Sequence, residues 1–377
     1  MIGTLFVVKR KSIIFLAIAW GSLLRSLPVN STIVSSTGNV RRMTAASANR
    51  WSFVLVALMM ATPRWAAAEA RFERIVVFGT SLSDPGNAFA LTGETTKPPY
   101  DTVDEFLIPD APYARGGQHF SNGATWIEQF ARPLGLAKSV RPAFRNADAR
   151  ATNYAVGGAR ARDDGSSFHL SAMVNSFFLD FEGLAPSNAL YVVEIGANDV
   201  RDSLAALSEG TDPAAIITSA LLAIGDNISR LYAAGARTFL ITNLPDLGLL
   251  PATRLLDNIS PGAAQAATIL TETFNSGLAI LVDSLRSLPG IEIIELDVFQ
   301  KVNELTDMPE AYGLEQVETP CITPNEPPFT CRRPNRFLFW DGIHPTRAVH
   351  GIFAQEAAHV LTAESRTAVA AYAGKRN

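Results

Sequence analysis

The chain has 377 residues, of which 47% are hydrophobic and 18% charged, with a net charge of −4 and a pI near 5.8. That apolar content supports a full buried core and excludes a disordered chain, and the length suits one catalytic-size domain with extra segments. Lys and Arg are scattered rather than gathered on one stretch, which argues against a nucleic-acid partner.

Two apolar runs come first. Ile13 to Leu24 follows Lys9, Arg10 and Lys11, and Trp51 to Ala61 follows Arg41, Arg42 and Arg50. The second run ends in Trp65-Ala-Ala-Ala-Glu-Ala70, small residues at the spacing a signal peptidase reads. Residues 43–70 are therefore expected to be a signal peptide, and residues 1–42 an extension from a start codon assigned too far upstream. The alternative is an uncleaved amino-terminal anchor, for which both runs are short. With the leader removed, a domain of residues 71–365 would be secreted or periplasmic, followed by a tail of residues 366–377 and no carboxy-terminal β-barrel.

Beyond residue 70, short runs rich in β-branched residues alternate with longer helical patterns, the signature of an α/β fold with a parallel sheet and crossover helices. Five strands are expected, at Arg74 to Gly79, Asn153 to Val156, Ala189 to Gly196, Thr238 to Asn243 and Ile291 to Leu296. Apolar residues at helical spacing predict a helix from Pro213 to Ala234, ended by Gly235, and another from Pro261 to Leu288, ended by Pro289-Gly290. A last helix is expected from Pro345, burying Val349, Ile352, Phe353, Val360 and Leu361. The long irregular stretches, Thr92 to Phe120 and Met308 to Pro334, are where such folds shape a substrate site. Asn-x-Ser/Thr matches at Asn30, Asn227 and Asn258 are read as chance.

Four short blocks carry chemistry. Ile75-Val-Val-Phe-Gly-Thr-Ser-Leu-Ser-Asp-Pro-Gly-Asn87 is a strand that ends in glycine and then presents Ser81, at the strand end where parallel sheets bind ligands. Alone, Ser81 could instead simply cap the next helix, and so could Ser83. Phe339-Trp-Asp-Gly-Ile-His-Pro-Thr346 places Asp341 three residues before His344, and one turn can bring that acid to the ring nitrogen a histidine base leaves free. The other histidines, His119, His169, His350 and His359, lack such an arrangement, and His350 and His359 are read as helix residues without a role. Asn153-Tyr-Ala-Val-Gly-Gly-Ala159 and Ile195-Gly-Ala-Asn-Asp199 each follow a strand, and Gly158 N–H and the Asn198 amide are candidate oxyanion donors beside the Ser81 N–H. Taken singly, Gly-Gly reads as a turn and Gly-x-Asn-Asp as a loop.

Cys321 and Cys331 are the only cysteines and share one proline-rich loop. In an exported chain they suggest a disulfide stapling that loop; two free thiols are the alternative. No further Cys or His cluster accompanies them, so no metal site is expected.

Together the four blocks make one reaction site, and the chain resembles the SGNH/GDSL hydrolases, in particular the branch whose last motif reads Phe-Trp-Asp-x-x-His-Pro-Thr. Gln118 to Trp126, Asn243 to Pro251 and Phe274-Asn275 are similar to that family as well, so the resemblance runs from about Phe72 to Leu361. It implies a three-layer α/β/α, flavodoxin-like fold with a five-stranded parallel sheet, and hydrolysis of carboxylic esters without metal or cofactor. It also implies Ser81 as nucleophile, His344 as base held by Asp341, and an oxyanion hole of Ser81, Gly158 and Asn198. The partner would be a small-molecule or lipid ester, with transient contact with a membrane surface. Relatives that pass the acyl group to an alcohol keep a transferase open, and a similar Cys321–Cys331 loop among relatives favours the disulfide. One departure stands out: the family's Gly-Asp-Ser-Leu is Gly79-Thr-Ser-Leu82 here, with Thr80 in place of aspartate. Thr80 is the sole support for an inactive, binding-only protein of this fold. An α/β-hydrolase fails on spacing, because its elbow needs glycine two residues beyond the serine, where Ser83 stands, and its acid lies well upstream of the histidine. A Rossmann nucleotide binder fails for want of Gly-x-Gly-x-x-Gly after the first strand.

Overall fold

A computed structural model describes residues 71–145, 150–165 and 168–374. The expected extension and signal peptide lie outside the described residues. In chain order the elements are β1 Arg74–Gly79, α1 Asn87–Thr92, α2 Trp126–Ala131, α3 Leu170–Asp180, β2 Ala189–Glu194, α4 Ala197–Glu209, α5 Pro213–Ala233, β3 Thr238–Thr242, α6 Pro251–Ile259, α7 Ala263–Leu285, β4 Glu292–Leu296, α8 Val298–Asp307 and α9 Arg347–Gly374.

The strands form one parallel sheet in the order β1-β2-β3-β4. Every residue of β2 and all but the first of β1 are buried, so the sheet needs cover on both faces. Two groups of helices supply it: α2 packs on α9, while α3, α4, α5 and α7 pack on one another. On the α3 side an aromatic layer crosses three strands, with Phe78 5.8 Å from Phe177, Phe177 6.0 Å from Tyr191 and Tyr191 5.6 Å from Phe239 between ring centroids.

Four of the five expected strands are present; Asn153 to Val156 is not one. The segment runs along β1, with Val77 N–H donating to Thr152 O, Tyr154 N–H to Val77 O and Val156 N–H to Gly79 O, but only isolated bridges form. Its outer edge is taken by residues 141–143, through Asn153 N–H to Arg141 O and Ala143 N–H to Asn153 O, and by the Asn87 amide, which donates to Asn153 O and Ala155 O, both at 2.8 Å. Backbone and side chain together close the sheet edge. After β1 the chain thus visits one side of that strand and then crosses to β2 on the other. The crevice between the carboxyl ends of β1 and β2 is the switch point where open α/β sheets bind ligands.

The helices expected at Pro213 and Pro261 appear as α5 and α7. The last helix begins at Arg347 rather than Pro345, because Pro345 bridges Phe339 in an antiparallel turn. Thr346 N–H donates to Leu338 O and Trp340 N–H to His344 O, so residues 338–346 form a hairpin ahead of the helix. Asn227 is buried in α5, its amide donating to Ser171 Oγ and Ala223 O, which leaves no room for a glycan.

The two long irregular stretches close on each other around a second apolar cluster of Tyr100, Tyr113, Cys321, Ile322 and Trp340. Cys321 and Cys331 are joined by a disulfide across a sequence separation of 10. Closing a loop of that length removes conformational freedom from the unfolded chain worth about 2–3 kcal/mol. Replacing both cysteines with serine is accordingly expected to lower the unfolding free energy by about that amount, read from urea denaturation midpoints. An unchanged midpoint would show that the apolar cluster alone holds the loop.

Candidate active site

Ser81 follows β1 in a tight turn in which Ser83 N–H donates to Thr80 O at 3.1 Å. The turn needs glycine at 79: a Cβ there would lie 3.0 Å from Glu194 O of β2 and 3.1 Å from Ser83 Cβ. Ser81 Oγ lies 2.9 Å from His344 Nε2, and His344 Nδ1 lies 2.7 Å from Asp341 Oδ2. Asp341 is fully buried, and its carboxylate accepts three further bonds, from the N–H groups of Ile343 and His344 and from the Tyr113 hydroxyl at 2.9 Å. Burial and the neighbouring Asp341 charge drive the Tyr113 phenol well above its ordinary value, so it stays a donor. The Phe120 ring packs 5.3 Å from the His344 ring, between centroids.

Asp341 and His344 face each other across the hairpin turn, not within a helical turn. Asn198 stands just past β2, as expected, in the first turn of α4, with Gly196 at φ 121° leading in. A side chain on Gly196 would strike the Phe274 ring, which is why glycine stands there. The Asn198 amide donates one hydrogen to Ala159 O at 2.8 Å, and its Oδ1 accepts from Arg201 Nη1 at 3.3 Å. The second amide hydrogen is left for the pocket.

Ser81, Asn198 and His344 line one small pocket of about 40 Å³, together with Thr80, Leu82, Arg201, Leu250 and Ile343. Gly158 is not part of that lining. It stands exposed in the adjoining turn, at φ 79°, next to the Ala159 that Asn198 holds.

The turn of residues 157–162 is gripped from both sides by buried carboxylates whose reach is not evident from sequence. Asp84 accepts from the N–H groups of Gly86, Asn87, Ala88 and Gly157, starting α1 and drawing the second block onto the first. Asp199 accepts from Ala161 N–H and Arg162 N–H, at 2.8 and 3.3 Å. Burial raises both carboxyls, that of Asp199 to about 6. Of the remaining histidines, His119 does have a carboxylate partner, with Nε2 2.8 Å from Glu128, and buried His350 accepts the Trp126 N–H. Burial pushes His350 down to about 3, so it is neutral.

Thr80, the departure from the family pattern, has a partner on β2. Its hydroxyl donates to Glu194 Oε1 at 2.9 Å and its N–H to Glu194 Oε2 at 3.1 Å. Glu194 is buried, and that burial lifts its carboxyl from 4.5 to about 7 against the opposing bonds from Thr80 and Ser83. An aspartate at 80 would set a second carboxylate against the first, and two buried carboxylates in contact resist ionising together. Threonine fits because this chain carries Glu194.

Residues 75–357 match the family described as GDSL-like lipase/acylhydrolase. A GDSL esterase/lipase of Arabidopsis thaliana is 26% identical over 332 residues, covering 78% of this chain and 91% of that one. The phosphatidylcholine-sterol acyltransferase of Aeromonas hydrophila is 25% identical over 366 residues, covering 84% and 98%. Among solved structures, an extracellular lipase of Streptomyces rimosus aligns at a TM-score of 0.34 with 14% identity, over 75% of this chain and 99% of that one.

The Thr80–Glu194 pair yields a pH-resolved test. Glu194 holds its proton in the folded state while the unfolded chain releases it between about 4.5 and 7, so this group's contribution to stability falls as pH rises through that window. The melting-temperature advantage of Glu194→Gln over the wild-type protein should therefore grow from pH 5 to pH 7.5. Thr80→Asp should lose stability at pH 8 and regain it in combination with Glu194→Gln. A constant difference across pH, or a double variant no better than Thr80→Asp, would contradict the pairing.

Proposed function

Because the chain belongs to the GDSL-like lipase/acylhydrolase family, we propose that it is an exported serine ester hydrolase acting through an acyl-enzyme on Ser81. The observation that carries this reading is the continuous chain from Ser81 Oγ to His344 Nε2 at 2.9 Å and from His344 Nδ1 to Asp341 at 2.7 Å.

In this mechanism His344 Nε2 takes the Ser81 hydroxyl proton as Oγ bonds to the ester carbonyl carbon. The carbonyl oxygen gains the negative charge and is met by the Ser81 N–H and the free Asn198 amide hydrogen, with the Gly158 N–H of the adjoining turn as the third donor. Collapse breaks the bond to the alcohol oxygen, which takes the proton from His344. A water then gives a proton to His344 and attacks the acyl carbon, and Ser81 Oγ leaves with that proton, releasing the carboxylic acid. Asp341 fixes the imidazole tautomer and stabilises its cation. The positive φ of Gly158 and the bond from Asn198 to Ala159 support placing that turn beside the nucleophile.

The similarity to the Aeromonas acyltransferase supports a second outcome, in which an alcohol replaces water in the last step. A lipid ester, and with it transient contact with a membrane surface, is consistent with both. The basic-apolar-small pattern of residues 43–70 and the Cys321–Cys331 disulfide favour a secreted or periplasmic location.

Ser81→Ala is expected to lower turnover of p-nitrophenyl acetate by a factor of about 10⁴ or more while leaving the circular dichroism spectrum and melting temperature intact. Turnover near that of the wild-type protein would sink the assignment. An assay with glycerol present separates the two outcomes, since acyl transfer would form glycerol ester at the expense of free acid.

A further inference from the structure

His119 takes no part in the proposed proton transfers, yet it is buried, and the segment around it reaches the catalytic residues at three points. Tyr113 N–H donates to His119 O at 2.8 Å and Gln118 N–H to Tyr113 O at 3.1 Å, a tight antiparallel turn from which the Tyr113 hydroxyl extends to Asp341. Phe120, the next residue, lies between the His344 ring and Gly157, where any side chain would strike the Phe120 ring. Ser121 Oγ then donates to Pro345 O, directly after His344, at 2.8 Å. The segment belongs to no helix or strand of its own, so its position has to be fixed from elsewhere.

The His119 ring supplies an anchor. Its Nδ1 lies 2.7 Å from Gly116 O and its Nε2 2.8 Å from Glu128 Oε2. A carbonyl and an ionised carboxylate accept and do not donate, so both ring nitrogens carry hydrogen and the ring is an imidazolium. Glu128 is itself fixed in the first turn of α2, where Oε2 also accepts from Thr125 N–H and Oγ1, both at 2.9 Å. Burial opposes the charge on each partner, but their bond outweighs it, lifting His119 above its ordinary value and holding Glu128 below its own. Among the described residues, the other ionisable groups facing His119 are Asp84, from the turn after β1, and His350, from α9. Burial holds His350 at about 3, so it is neutral and sets no second cation against His119.

We infer that His119 is a positioning residue: paired with Glu128, it ties residues 113–121 to α2 and so keeps Phe120 against the base His344 and Tyr113 on Asp341. The inference rests on the reading of Ser81, His344 and Asp341 as the reacting chain. Loss of a ring proton would set a bare nitrogen against the Glu128 carboxylate, acceptor facing acceptor in a buried site. The contribution of the pair is therefore present while His119 is charged and is lost as pH rises through its raised folded-state value. That loss falls on the alkaline side, whereas a histidine base fails on the acid side, where it is protonated.

The pH profile of kcat tests this, followed by pH-stat on ethyl butyrate. The wild-type protein should show an alkaline limb above the ordinary imidazole value of about 6.5. His119→Arg, whose cation persists to about pH 12, should keep kcat near the wild-type value at neutral pH and lose the limb. His119→Gln and Glu128→Gln should lower neutral-pH kcat roughly tenfold, within the hundredfold that an ångström of misplacement can cost, and neither should show the limb. The shape of each profile is independent of the fraction of protein that folds, so a general loss of stability would not imitate this pattern. A wild-type profile without the limb would overturn the inference, as would a limb that survives in His119→Arg or in Glu128→Gln. Ser81→Ala run alongside separates the two levels: persistent hydrolysis refutes the nucleophile itself, whereas its loss together with an unchanged limb in His119→Arg refutes the role of His119 alone.

Discussion

The Asp341 carboxylate has no solvent-exposed surface, and a buried charge is tolerable only where donors satisfy it. Much of the carboxy-terminal half of the site can be read as that satisfaction. The hairpin of residues 338–346 exists to turn two backbone N–H groups and the His344 ring toward Asp341, and the first long loop folds back to deliver the Tyr113 hydroxyl. With its Nδ1 held by the carboxylate, the imidazole can turn only Nε2 to Ser81. The same rule operates twice more on the other side of the crevice, where Asp84 and Asp199 each gather backbone N–H groups from the turn of residues 157–162. Three buried carboxylates thus arrange loops that the sheet itself does not position.

Much of this was legible in the sequence because two local signals coincide there. Buried parallel strands appear as short apolar runs, and in β1 and β2 such a run ends directly in a glycine-containing turn that carries Ser81 or leads to Asn198. The acid and base, three residues apart, needed no knowledge of tertiary structure to be paired. Where reading by pattern failed, a distant partner decided the outcome. The run from Asn153 to Val156 has strand character and lies along β1, but it makes only isolated bridges there, and its outer edge is shared by residues 141–143 and the Asn87 side chain. Taken singly Gly196-Ala-Asn-Asp199 resembles a loop; in the fold it starts α4, and Asp199 and Asn198 find partners across the crevice. Tyr113 and Glu194 carry no local signal at all: one sits in an irregular loop, the other within an apolar strand, and each acquires meaning only from a residue more than 100 positions away.

Thr80 shows how a departure from a family pattern can be compensated. Read alone, it weakens the case for catalysis. Beside Glu194 it becomes the residue that permits a buried carboxyl at the end of β2, two hydrogen bonds replacing what would be a repulsion. Its support for a binding-only protein therefore disappears, since the geometry of Ser81 and His344 is kept. The long loops play the complementary part: they are joined through Tyr100, Tyr113, Trp340 and the disulfide-linked Cys321, and the first of them sets Phe106 and Ile108 in the wall of a neighbouring cleft.

The central claim is a covalent one, that an acyl group passes through Ser81 Oγ. The most direct measurement is the intact mass of the protein after brief exposure to p-nitrophenyl decanoate and an acid quench, followed by peptide mapping. The account predicts a mass increase of one decanoyl group, located on the peptide bearing Ser81 and absent from Ser81→Ala. A decanoyl adduct on another residue, or rapid hydrolysis with no adduct in a burst-phase experiment that resolves the first turnover, would contradict it.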